Sequence, residues 1–180
     1  MEETGTAAVK HQDMNRSAED IRGQMVQLLP RLRRFAAALT GSVADGDDLV
    51  QDTVERALKN LHQWEPGTRL DNWMFRIAKN RFVDTRRSHK RSGVIAVEVP
   101  EDAPSIIGDG ARAADARLML ADTLGALQKL PLEQREALAL VAIEGLSYRD
   151  AADILQIPIG TLTSRIARAR EALAPLAPEG

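Results

Sequence analysis

Four residues late in the chain, Thr161, Ser164, Arg165 and Arg168, recur at spacings i, i+3, i+4 and i+7. On a helix that spacing gathers them on one face. Short hydroxyl groups beside guanidinium are the chemistry that reads base edges and phosphates in a DNA major groove. A second cluster, Arg76, Lys79, Arg81, Arg86, Arg87, Lys90 and Arg91, crowds one segment that carries a single acid, Asp84. Trp64, Trp73 and Phe75 lie at or just before it. Positive charge beside aromatic rings suits a nucleic-acid strand with unstacked bases, although Trp73 by itself reads as a core residue. A third pattern has the opposite sign. In DGDDLVQDTVERAL (45–58), Asp48, Gln51, Asp52 and Glu55 share one helical stripe, opposite Val50 and Val54. An ordinary solvated stripe would look the same, but it is unexpected beside two DNA-facing clusters.

The elements that must position these residues are helices. Ser17-Ala-Glu-Asp20 has the form of a capped start, and Ile21, Met25, Leu28, Leu32, Phe35 and Leu39 follow at helical spacing, with a kink or junction expected at Pro30. Gly41 ends that arm. A second helix is expected over 47–61, with Val50, Val54, Ala57, Leu58 and Leu61 inward, and a Pro-Gly turn follows Trp64. A third runs from Asp71 to Arg91. Residues 111–130 form another, with Leu118, Leu120, Leu124 and Leu127 inward, and Leu130-Pro131 opens the next, with Leu138, Val141 and Ala142 on its apolar face. Ser147-Tyr-Arg-Asp150 is a second capped start. Its helix and the one over 159–173, joined by a turn at Gln156-Ile-Pro158, make a helix-turn-helix whose close crossing is served by Ala151 and Ala152. Leu162, Ile166, Ala169 and Leu173 form the inward side of the last helix.

The chain is therefore expected to be all-α, with two small helical domains. A disordered tail covers 1–16, the first domain 17–91, a linker 92–117 and the second domain 118–176. Val94–Val99 is the one short β-like run, flanked by breakers. The linker holds Glu98, Glu101, Asp102, Asp109 and Asp115 against Arg112 and Arg117, so a formal net charge of −2 hides a strongly basic segment. The chain has no cysteine, which excludes disulfides and cysteine-based zinc sites within it. No apolar run reaches membrane-spanning length and no apolar leader opens the N-terminus, which reads as soluble and cytoplasmic. His11, His62 and His89 are scattered, and no Gly-rich phosphate loop or metal-spaced cluster occurs. No catalytic residue, metal site or cofactor is expected.

Four stretches, DDLVQDTVERAL (47–58), LDNWMFRIAKNRFVD (70–84), LPLEQREALAL (130–140) and EGLSYRDAADILQIPIGTLTSRIARAREAL (144–173), together resemble the extracytoplasmic-function sigma factors of bacterial RNA polymerase. The resemblance covers about residues 20–175. It implies two domains, σ2 and σ4, on a flexible linker, and partners in core RNA polymerase (the β′ clamp helices and the β flap) and promoter DNA. It gives the acidic stripe a purpose. Asp48, Gln51, Asp52 and Glu55 would dock on the β′ clamp helices, where carboxylates suit an arginine-rich surface. It places a base flipped from the −10 element against the loop Trp64–Leu70, including Trp64 and Arg69, and Asn80 on the following helix. Arg86, Arg87 and Lys90 would hold phosphates, and Thr161, Ser164, Arg165 and Arg168 would read the −35 element. An anti-sigma protein would clamp both domains in a stress response. The Trp-x-Pro-Gly-Thr loop is similar to that of alphaproteobacterial general-stress sigma factors.

Two positions depart from the family pattern. Gln156 stands where the turn usually has glycine; a left-handed backbone there costs about 1 kcal/mol or more, so a different turn is expected. Thr163 replaces a frequent basic residue, which predicts weaker phosphate anchoring. Two other readings compete. A stand-alone helix-turn-helix regulator would leave the acidic stripe and the central basic run without a role. A sigma-like decoy for an anti-sigma protein would not need its DNA-facing charges.

Overall fold

The computed structural model describes the backbone of residues 3–91 and 110–176, and the side chains within 20–89 and 116–175. The described residues are helical throughout, without a strand: α1 (Glu3–Thr40), α2 (Val43–Lys59), α3 (Leu70–Arg91), α4 (Gly110–Gln128), α5 (Leu132–Leu138), α6 (Tyr148–Leu155) and α7 (Ile159–Leu173). Single 3₁₀ turns follow α2 and α7. The Val94–Val99 run and most of the expected linker lie outside the described residues, while 110–117 is already part of α4.

α1, α2 and α3 pack around Met25, Leu32, Phe35, Leu39, Val50, Ala57, Met74 and Phe75. Phe35 and Phe75 meet edge to face with centroids 5.2 Å apart, a favoured quadrupole geometry. Ser42 caps α2 by accepting a hydrogen bond from the Asp45 amide. One turn on, Gly46 lies against α1, where a Cβ would stand 2.8 Å from the Ala37 backbone nitrogen. That crossing requires glycine. α5, α6 and α7 pack around Leu138, Leu140, Ile154, Leu162 and Ile166, with Ala151 and Ala152 buried where α7 crosses α6.

Several sequence expectations need correction. α1 is continuous from Glu3, through the segment expected to be a disordered tail and past the expected start at Ser17. Residues 3–16 contain no proline, and extending an existing helix is far easier than nucleating one. Pro30 is accommodated inside α1 with no break between two helices. Pro30 and Val26, whose carbonyl it deprives of a donor, are both exposed, so water can satisfy that carbonyl. Leu58 is exposed, and its inward place is taken by Leu49 and Thr53, the latter bonding back to the Leu49 carbonyl at 2.7 Å. Leu118 and Leu120 are also exposed, because only the last turns of α4, at Leu124 and Leu127, reach the core. After α5 a π-turn, Ala139–Ile143, inserts a wider turn that rotates Ala142 to the surface and leaves Val141 half-buried. Gln156 does adopt the left-handed conformation, φ 57°. Its amide donates to the Asp153 carbonyl and that of Ile157 to Ala152. Both bonds belong to a helix-ending motif in which orphan carbonyls are satisfied, and they offset the strain of the side chain.

The two bodies are not separate. Glu144, at the end of the π-turn, has a side chain with no exposed surface and receives both Arg31 (3.3 Å) and Arg34 (3.1 Å) from α1. Arg135 donates to the Leu39 carbonyl at 2.8 Å and Gln128 donates to the Ala38 carbonyl at 3.2 Å. These bonds satisfy carbonyls in the last turn of α1 that have no partner within the helix. The polar composition of the linker is therefore no measure of how the halves sit, since their contact is made by the helices themselves.

Candidate nucleic-acid and polymerase interface

The acidic stripe of α2 is an open surface. Asp48, Gln51 and Glu55 are exposed and Asp52 is half-exposed, while Val50 is buried on the opposite side. The stripe is internally braced: Gln51 donates to Glu55 at 3.3 Å and Lys59 stands 3.8 Å from Glu55. Asp52 pairs with Arg81 of α3 at 2.9 Å, which ties the acidic helix to the basic one. Such exposed pairs contribute little to stability, so they can yield to partner groups.

On the neighbouring side, Trp64 and Arg69 come together at a cleft of about 360 Å³ lined by Gln63, Trp64, Glu65, Thr68, Asn72, Trp73, Arg76 and others. The turn that positions Trp64 is fixed by Thr68, whose amide and hydroxyl both bond to the Glu65 carbonyl, and by Gly67 at φ 90°. Asn72, Trp73 and Arg76 come from the first turns of α3, and Trp73 is half-buried against the core. Three buried side-chain atoms on cleft residues, Trp64 Nε1, Asn72 Oδ1 and Arg76 Nε, have no hydrogen-bond partner. Buried donors and acceptors without partners cost about 1–3 kcal/mol each, so the cleft is chemically incomplete as it stands.

Asn80 is not a lining residue of this cleft. It is exposed one turn beyond Arg76, on the same stripe as Trp73. Arg86 and Arg87 are exposed further along, with the Arg86 guanidinium 5.9 Å from the Phe82 ring centroid. Lys90 is in the last turn of α3, with its side chain outside the described residues. Sequence reading missed Asn72 as a cleft residue and Arg76 as more than one charge of a run. Their spacing from Arg69 along the start of α3 is the signal that was available.

Arg69 is not free. It bonds Asp71 at 2.7 Å and Asp150 of α6 at 2.6 Å. The bond to Asp71 raises the Arg69 pKa further above its ordinary value. Asp71 is pushed up by burial, but bonds from Arg69 and Arg31 outweigh that and leave its carboxyl below the usual range. Asp150 is lowered as well, first by the Ser147 hydroxyl that donates to it and then by Asn72 and Arg69.

In the helix-turn-helix, Ser147 caps α6 and Leu162, Ile166 and Ala169 turn α7 inward. Ser164 and Arg168 are exposed, whereas Thr161 and Arg165 are partly covered. The Arg165 guanidinium is 2.8 Å from Glu133 of α5, and the Ser164 hydroxyl donates to the Thr161 carbonyl. The face expected from spacing thus exists, with one of its arginines tethered. Among the described residues, no group of three histidines or carboxylates is placed to hold a metal, and no helix is long and apolar enough to cross a membrane.

Residues 25–79 match the family described as the Sigma2 domain of PhyR, and residues 121–173 match Sigma-70, region 4. The ECF RNA polymerase sigma factor EcfG of Rhodopseudomonas palustris is 38% identical over 88% of this chain and 85% of its own. Among solved structures, the sigma factor RpoE of Bartonella quintana, determined with the anti-sigma factor NepR, has a TM-score of 0.74 at 34% identity, covering 88% of this chain and 96% of that one. CnrH, determined with the cytosolic domain of CnrY, has a TM-score of 0.67 at 28% identity, covering 88% of each chain. With a σ2 body at 25–79, a region-4 helix-turn-helix at 121–173 and a relative this similar along most of both chains, the protein belongs to the extracytoplasmic-function sigma factors of bacterial RNA polymerase.

Proposed function

We propose that this sigma factor works through three surfaces. Asp48, Gln51, Asp52 and Glu55 on α2 dock the β′ clamp helices of core polymerase, and σ4 also meets the β flap. The Trp64–Arg76 cleft takes a base flipped out of the −10 element, with Arg69 and Asn80 beside it and Arg86, Arg87 and Lys90 along the phosphates. Thr161, Ser164, Arg165 and Arg168 on α7 read the −35 element. The chain supplies no catalytic group; the chemistry of initiation belongs to polymerase, in the cytoplasm. As with the relative determined with NepR, an anti-sigma protein holds this factor until a stress signal releases it. In this proposal σ2 is the body 17–91, with 92–117 as linker and 118–176 as σ4.

The observation that carries the reading is the set of unpartnered atoms at the cleft: an indole N–H donor, an amide oxygen acceptor and a guanidinium N–H donor. A nucleobase offers the complementary groups on its edge and a flat face for the indole, and extruding it costs a few kcal/mol that such contacts repay. The test is run-off transcription with core polymerase on a promoter library. Wild type should select a −35/−10 pair, and Trp64→Ala should reduce initiation at least tenfold while core binding is unchanged. Full initiation by Trp64→Ala would remove the cleft from promoter recognition.

A further inference from the structure

The two arginines on the outward side of α7 stand in different conditions. Arg168 is exposed and open to solvent. Arg165 is mostly covered, with 19% of its side-chain surface exposed, and its Nη2 lies 2.8 Å from the carboxylate of Glu133, which is itself 69% exposed. Glu133 belongs to the first turn of α5, and α5 packs along α7. Glu136, one turn further along α5, is buried and feels the charge of Arg165 as well. Two carboxylates of one helix therefore draw this guanidinium back toward α5. A carboxylate engages the same guanidinium donors that a phosphate or a guanine edge would engage, so DNA that takes Nη2 of Arg165 must displace Glu133.

We infer that Glu133 sets the affinity of σ4 for the −35 element: its carboxylate competes with DNA for the Arg165 guanidinium and so keeps α7 too weak to hold a −35 sequence by itself. The inference rests on the assignment of α7 to that element. The exchange is open because Glu133 stands in water and is readily solvated once Arg165 leaves, which also limits the size of the effect. Weakness in one of two linked sites has a use. With σ2 and σ4 joined through polymerase, engagement of one element raises the effective concentration of the other surface at its own element, and two weak contacts bind strongly only where both elements are present. A σ4 at full strength would hold polymerase at lone −35 sequences. Glu133 empties those sites while complete promoters stay filled, and so it selects for paired elements.

The test uses holoenzyme assembled from core polymerase and the full chain, with fluorescence anisotropy on two labelled duplexes. One carries the −35 and −10 sequences selected by run-off, the other the −35 sequence alone. Glu133→Gln removes the charge at an exposed position while keeping shape; circular dichroism and a thermal melt verify the fold. It should tighten binding to the −35-only duplex about threefold, the size an exposed ion pair allows. At a concentration that saturates the complete promoter, only occupancy of the lone element should rise. Glu133→Asp, which keeps the carboxylate, should lie closer to wild type than to Glu133→Gln. In an Arg165→Ala background the Glu133→Gln change should have no effect. Unchanged affinity of Glu133→Gln overturns the inference. So does a gain that survives Arg165→Ala, since the carboxylate would then act by repelling phosphates and not by holding the guanidinium. Arg168→Ala separates the underlying assignment: if it leaves affinity for the −35-only duplex unchanged, it is the reading of α7 that fails. A loss from Arg168→Ala beside no gain from Glu133→Gln sinks the competition alone. Should Glu133→Gln unfold, Glu133→Ala must give the same gain or the inference falls.

Discussion

Two faces of the same three-helix body meet opposite fates. The acidic stripe on α2 is open, its groups paired with one another, with Lys59 and with Arg81 of the same three-helix body. At the cleft at the start of α3, Arg69 and Asn72 are engaged by the Asp150 carboxylate, 81 and 78 residues away in sequence. One face is ready for a partner and the other must be uncovered.

The largest effect that bears on this contrast comes from the open face. Replacing Asp48, Asp52 and Glu55 together with alanine should weaken core polymerase binding about a hundredfold, as expected for two charge-assisted contacts at roughly 1.5 kcal/mol each. Titration of labelled factor with core enzyme measures it, and an unchanged Kd would sever the stripe from polymerase. Next comes α7. Arg168→Ala should lower −35 duplex affinity by about 1–3 kcal/mol if it reads a base, whereas a phosphate contact would weaken all sequences alike and flatten the salt dependence. Arg165→Ala should cost less, since that guanidinium must first leave Glu133; fluorescence anisotropy of both variants ranks them.

A smaller effect concerns Glu136, buried and with Oε1 unpartnered. Burial pushes its carboxyl above the ordinary value. A carboxyl raised in the folded state favours folding below its unfolded value of about 4.5 and loses that contribution as pH climbs through the folded one. Glu136→Gln should therefore match wild type near pH 4 and exceed it at pH 7.5, by about 2–4 °C in Tm per 1 kcal/mol for a chain of this size. Asp71 and Asp150 carry the opposite sign. Both are lowered, so their contribution is present above the ordinary value of 3.8 and disappears as pH falls through their folded values. Melts across pH 3–8 separate the two trends. The smallest change is Gln156→Gly. It relieves left-handed strain of about 1–2 kcal/mol against an entropic cost of 0.5–1 kcal/mol, a net gain near 0.5 kcal/mol that should raise Tm by a degree or two and leave both faces unaffected.

Much of the fold was legible because it rests on local rules. The cap at Ser147, the small Ala151 and Ala152 at a helix crossing and the stripe Leu162, Ile166 and Ala169 each announce themselves within one or two turns. Leu118 and Leu120 were misread because periodicity reveals a stripe but not whether anything is packed against it. Gln156 was misread because two backbone hydrogen bonds outvote a residue preference. Of the site, the acidic stripe and the α7 face follow from spacing alone. The bonds that join the cleft and α1 to the second body do not. Arg31 and Glu144 are 113 residues apart and Arg69 and Asp150 are 81, and nothing in a linear pattern pairs one surface charge with another at that distance.

Gly46 sets how accurately the acidic stripe can be aimed. From Gly46 to Ala57 α2 advances about 16 Å, and both residues are buried against the body. A methyl group at 46 would meet the Ala37 backbone at 2.8 Å and push that end outward by up to about 1 Å, tilting the helix by roughly 3° over that 16 Å lever. Asp48 and Glu55 would then project in a different direction from the body, although neither had been touched. A hydrogen atom two residues upstream of Asp48 is what fixes the direction in which the row of four points.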